Sequence, residues 1–102
     1  MDNEIVHIIN EAFSLQTTED DSLQLLSSKI NELIIRDFNK LVQILYRADI
    51  SEKKLKTVLE ENKNADAGNL IAILFIERQA EKIRSRREHR RETNDIPDEE
   101  RW

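Results

Sequence analysis

No cysteine occurs in the 102 residues, which excludes a disulfide framework, a thiolate metal site and a cysteine nucleophile. The chain has one Gly and one Pro. Tight hairpins draw on Gly, Asn-Gly or Pro for their dihedrals. None of these stands ahead of residue 67, which argues against a sheet built on short turns. The longest unbroken apolar run, residues 70–76, has seven residues, against the roughly 20 that a membrane-spanning helix needs. Lys and Arg are missing from residues 1–28 altogether. The opening Met-Asp-Asn-Glu-Ile-Val-His is acidic where a secretory leader is basic, so the expected location is the cytoplasm.

What is present are the good helix formers Leu, Ile, Glu, Lys, Arg and Gln. The fold class is therefore read as all-α, and 102 residues give room for one domain with a modest core. Charge is sorted along the chain. Residues 1–28 carry six acids and no base, residues 29–77 balance eight against eight, residues 78–91 hold seven bases against two acids, and residues 92–102 return to −4. The net charge of −5 weighs against general nucleic-acid affinity, but local charge outweighs the total in that question.

Apolar spacing predicts four principal helices, near 2–15, 22–47, 51–62 and 66–90, packed as a bundle. Ile5, Ile8, Ile9, Ala12 and Phe13 form one stripe at i, i+3, i+4, i+7 and i+8. The polar stretch 16–22 reads as a loop with an N-cap at Asp21 or Ser22. Between 23 and 47 the apolar positions step by three or four with no Gly or Pro, which favours one long helix over two joined near Arg36 and Asp37. Ser51 and Asp66 are the expected caps of the last two helices. The core is read as Leu26, Ile30, Leu33, Phe38, Leu41, Leu45, Leu55, Leu59, Leu70, Leu74 and Ile83. Residues 1–83 make the bundle, 84–92 a basic helical extension, and 93–102 an acidic tail holding the only Pro and the only Trp. The tail is read first as a flexible, disordered end, and second as a short docking motif made by Ile96 and Trp102.

Glu4, His7 and Glu11 share a helical face. Two-metal carboxylate bundles place Glu-x-x-His on two helices and a further Glu on each of two more. The pattern occurs once here, so the expected state is a surface histidine beside acids, with no metal and no cofactor. Asp37, Glu77 and Arg78 lie in apolar surroundings, where a partly buried ion pair is the first expectation. No Ser-His-acid set and no Gly-rich phosphate loop can be assembled, and the chain is read as no enzyme. The sharpest functional feature is the arm: Arg84, Arg86, Arg87, Arg90 and Arg91. Planar guanidinium forks suit carboxylate and phosphate. The function read from this is a non-catalytic interaction or assembly protein. Its arm engages an acidic protein partner, a second copy in a homodimer included; the alternative is a nucleic-acid-binding protein using the same arm.

The run Ala48-Asp-Ile-Ser-Glu-Lys-Lys-Leu55 resembles the turn and second-helix start of helix-turn-helix DNA-binding proteins, over residues 41–60. Ile50, Ser51 and Leu55 match that pattern. Leu45 stands where the motif has a small residue that lets its helices cross closely, and Asp49 stands where it has Gly. The resemblance implies a reading helix with Lys53, Lys54 and Lys56, but Glu52, Glu60 and Glu61 share it and it carries no Arg to fork onto guanine. An ordinary bundle turn with a Ser cap is the expected reading. Residues 37–55 together with Ile76-Glu-Arg-Gln-Ala-Glu-Lys-Ile83 resemble a family of small bacterial all-helical proteins. That family carries no established activity, so the resemblance implies the helical fold and no site residues.

Overall fold

A computed structural model describes the backbone of residues 3–95 and the side chains of residues 3–88. Among the described residues there are five helices and no strand: α1 (Asn3–Phe13), α2 (Ser22–Arg36), α3 (Phe38–Arg47), α4 (Glu52–Glu61) and α5 (Ala67–Asp95). The chain is an all-α bundle. Its central pair is α2 and α5, with α1 laid against both, α3 against α2 and α4 against α5.

The expected single helix over 22–47 is in fact two. Asp37 sits at φ −155°, ψ 70°, outside the helical region. Its N–H still reaches back to the Leu33 carbonyl at 2.9 Å, while its carboxylate accepts from the Lys40 N–H at 3.2 Å. An aspartate offers the backbone an N-cap in competition with helix continuation, so a helix can stop without Gly or Pro. The fold-back lets Leu41 and Leu45 of α3 join the core. It also overturns one core assignment, because Phe38 opens α3 on the solvent side and is exposed. Leu26, Ile30, Leu33, Leu41, Leu45, Leu74 and Ile83 are buried as expected, whereas Leu55, Leu59 and Leu70 are half-buried. The centre of the core is aromatic: Phe13 of α1 meets Phe75 of α5 edge-on, with centroids 5.2 Å apart and planes at 77°.

Two helices end on left-handed residues that are not glycine, Ser14 (φ 56°) after α1 and Asp49 (φ 60°) after α3. In each case the next N–H closes a six-to-one bond onto the helix, Leu15 to the Asn10 carbonyl at 3.0 Å and Ile50 to the Leu45 carbonyl at 3.1 Å. The only glycine stands elsewhere. Gly68, at the start of α5, lies where α2 passes so close that a Cβ would fall 2.5 Å from the Asn31 side chain. Asn31 uses that proximity: its Oδ1 accepts from the Gly68 N–H at 3.1 Å and its Nδ2 donates to Asp66 at 2.9 Å. Asp66 also caps α5 by accepting from the Gly68 N–H at 3.0 Å, and Ser51 caps α4 by accepting from the Lys54 N–H at 3.3 Å, both as the sequence predicts.

Candidate protein-docking site

α3 and α4 are joined by residues 48–51 alone, yet they do not close on each other. Between them lies a groove of ≈ 740 Å³. Phe38, Val42, Leu45 and Tyr46 form one wall, Leu55 and Leu59 the other, and Ile50 the end at the turn. Leu45 lines the groove and is itself buried in the core. The polar rim is Asp49, Ser51, Glu52 and Lys56.

The α3 wall of this groove is an apolar stripe open to solvent: Phe38 is 57% exposed, Val42 47% and Tyr46 81%. Large apolar side chains gathered at one place on a small protein mark an interaction surface rather than scattered tolerance. Sequence reasoning placed Phe38 in the core and passed over Val42 and Tyr46, because it assigned each helix one apolar face. The signal was nonetheless present: Phe38, Val42 and Tyr46 step by four, beside the core stripe of Leu41 and Leu45. One neighbouring helix cannot cover both stripes.

The groove's closed end is tied to α5. Arg78 Nε donates to the Asp49 carbonyl at 3.1 Å and Nη1 pairs with Glu81 at 3.3 Å. Lys82 Nζ lies 3.4 Å from the Asp49 carboxylate. Of the three charged residues expected near apolar surroundings, Arg78 is half-buried and performs this tethering, while Asp37 and Glu77 are exposed. Asp49, at the turn between α3 and α4, takes the left-handed conformation.

The arginine arm continues α5 as helix to Asp95. Arg84, Arg86 and Arg87 lie on its exposed surface, and the side chains of Arg90 and Arg91 fall outside the described residues. Arg86 Nη2 pairs with Glu4 Oε2 of α1 at 2.6 Å. The fold thus brings the basic arm and the acidic N-terminal segment together within one molecule. The same pairing turns Glu4 toward the arm, while His7 Nε2 and Glu11 Oε1 pair at 2.9 Å on the exposed face of α1. No group of three or more His, Cys, Asp or Glu able to hold a metal occurs among the described residues. No helix among them is long and apolar enough to cross a membrane.

A second cleft, of ≈ 800 Å³, runs along α5 beside Ile8 and Asp49. Of its cations Arg78, Lys82, Arg84 and Arg86, three are already paired, Arg78 to Glu81, Lys82 to Asp49 and Arg86 to Glu4, so most of its positive charge is answered within the molecule. The groove between α3 and α4 is different in kind. Its walls are apolar and its cations are few. Comparison of the chain with protein-family models, with curated proteins and with solved structures gives no match.

Proposed function

We propose that this chain is a non-catalytic interaction protein that receives an apolar segment of a protein partner in the groove between α3 and α4. The observation that carries the reading is the open stripe of Phe38, Val42 and Tyr46 above a floor of Leu45, Ile50, Leu55 and Leu59. Two helices flanking an apolar trough are the geometry by which helix-in-groove recognition works, with bulky anchors at the centre and polar contacts at the rim. The arm Arg84, Arg86, Arg87, Arg90 and Arg91 has the secondary part of meeting acidic side chains of the partner around that contact, and cytoplasmic residence follows from the same reading.

Methyl-resolved NMR of the full chain against a panel of amphipathic peptides tests this. The expected result is saturable shifts confined to the Leu45, Ile50, Leu55 and Leu59 methyls. Peptides that perturb no groove methyl would overturn it. The nucleic-acid alternative rests on the local charge of the arm and makes a separate prediction. Duplex DNA or single-stranded RNA would bind at micromolar concentration in about 50 mM salt and be lost steeply by about 200 mM. The Arg86–Glu4 pair and the acids on α4 weigh against it.

A further inference from the structure

We infer that the groove's occupant is residues 96–102 of a second copy of the chain, Ile96 and Trp102 being the apolar anchors. This deepens the proposed function and rests on it. Residues 96–102 lie outside the described residues, and their sequence, Ile-Pro-Asp-Glu-Glu-Arg-Trp, holds the only apolar side chains beyond Ile83 apart from the alanine-free arm's aliphatic stems. A Trp and an Ile in one short segment suit a trough of Leu, Ile, Phe and Tyr whose rim carries Asp49, Glu52 and Lys56. Lys56 lines that groove, and Lys53 and Lys54 are exposed on the same helix.

Reach decides between the chain's own groove and a second copy's. The near end of the groove is Asp49, held 3.4 Å from Lys82 of α5. From Lys82 the helix carries the chain 13 residues further, to Asp95, a distance of about 20 Å at the helical rise. Seven residues at full stretch return at most about 23–25 Å. They can bring one anchor back to the rim at Asp49 and no further. The groove extends from that rim away from the arm, because α3 begins beside the end of α2 and α4 ends beside the start of α5, at Phe38 and Glu61. Seating both anchors in it therefore requires another molecule. Two copies exchanging their segments satisfy both grooves at once, as a two-fold dimer does.

The composition supplies its own test, since the chain has one Tyr, in the groove wall, and one Trp, in the segment. Full-length Tyr46→Phe protein, which keeps only the Trp, is mixed with full-length Trp102→Phe protein, which keeps only the Tyr. Energy transfer from Tyr46 to Trp102 can then arise only between molecules. The expected result is tryptophan emission on tyrosine excitation that rises with concentration, in the mixture and in the parent protein. It should be lost when Val42→Asp is added to both, with the helical circular dichroism unchanged. No transfer in the mixture, or transfer in the parent that is independent of concentration, would overturn the inference; so would transfer that survives Val42→Asp in folded protein. If the transfer is absent while amphipathic peptides still shift the groove methyls, the second-copy occupant is wrong and the docking function stands.

Discussion

The two helix pairs of this small bundle are built to opposite ends. α2 and α5 meet at a glycine, with Asn31 reaching across to Gly68 and Asp66 and Ser27 reaching Asn69 at 3.3 Å. α3 and α4, neighbours in sequence, leave an apolar groove between them. A missing Cβ lets the backbones of the first pair approach and bond, and the second pair has no such close approach at its groove. A domain of this size needs one tight pair to hold its core, and it can leave the other pair unfilled where a partner is to supply the missing layer. The three phenylalanines follow the same division. Phe13 and Phe75 stack at the centre, and Phe38 faces water beside the groove.

The largest effect is therefore expected at Phe75. Phe75→Ala removes a fully buried ring and its edge-to-face partner contact, at a cost of about 3–5 kcal/mol. In a domain of this length each kcal/mol moves the thermal midpoint by roughly 4–8 °C. Urea or thermal unfolding followed by circular dichroism measures it. A loss below about 1 kcal/mol would mean that the Phe13–Phe75 stack is not the centre of the fold.

Gly68→Val comes next. The added side chain meets Asn31 at 2.5 Å, and Asn31 can yield only by giving up its bonds to Gly68 and Asp66. Helix propensity favours the change by well under 1 kcal/mol at a helix start, whereas overpacking costs about 1–3 kcal/mol, so sterics win. The unfolding midpoint should fall, and an unchanged midpoint would show that the α2–α5 approach is looser than its geometry.

Much of this architecture was legible before the fold was known, for reasons that differ by element. The scarcity of Gly and Pro pointed to helices, and Ser51 and Asp66 declared their caps because a short polar side chain before an apolar period has few other uses. The stripe of α1 was read correctly, with Ile5, Ile9 and Phe13 buried. The break near Arg36 and Asp37 is the alternative that the sequence reading sets aside because no Gly or Pro supplies it, whereas a capping carboxylate can stop a helix without either. The groove was hidden for another reason. Periodicity locates apolar faces but does not say which of two adjacent faces finds a partner, because that is set by how the helices pack. The arm's charge was plain, but its pairing to Glu4 joins residues 82 apart and no local pattern encodes it.

The contact between the chain's acidic start and its basic arm should prove the weaker kind of link. Arg86 and Glu4 approach to 2.6 Å, but their side chains are 61% and 43% exposed. Exposed pairs contribute about 0.2–1 kcal/mol and less at high salt. Glu4→Gln should lower stability by that amount at low ionic strength and by almost nothing in about 1 M salt. A loss that persists in high salt would show that α1 depends on the pair for its position.

The smallest effect on stability, and the most informative for function, belongs to Phe38. Phe38→Ser removes a ring that is more than half exposed and makes no core contact of the kind Phe75 makes. The stability change should stay within about 0.5 kcal/mol, as for surface substitutions elsewhere. Binding should respond far more. An anchor ring at the mouth of an apolar groove is the type of residue whose truncation costs more than 1 kcal/mol of affinity, or at least a fivefold loss. Peptide titrations that shift the groove methyls of the parent would weaken by that factor in the variant while the unfolding curve stays in place. The two phenylalanine substitutions then separate the two regions: one collapses the tight pair and spares no function, the other leaves the fold intact and closes the open pair to its partner. Should Phe38→Ser destabilise the domain as Phe75→Ala does, the stripe is core that this chain has failed to bury, and the groove has no claim to be a binding surface.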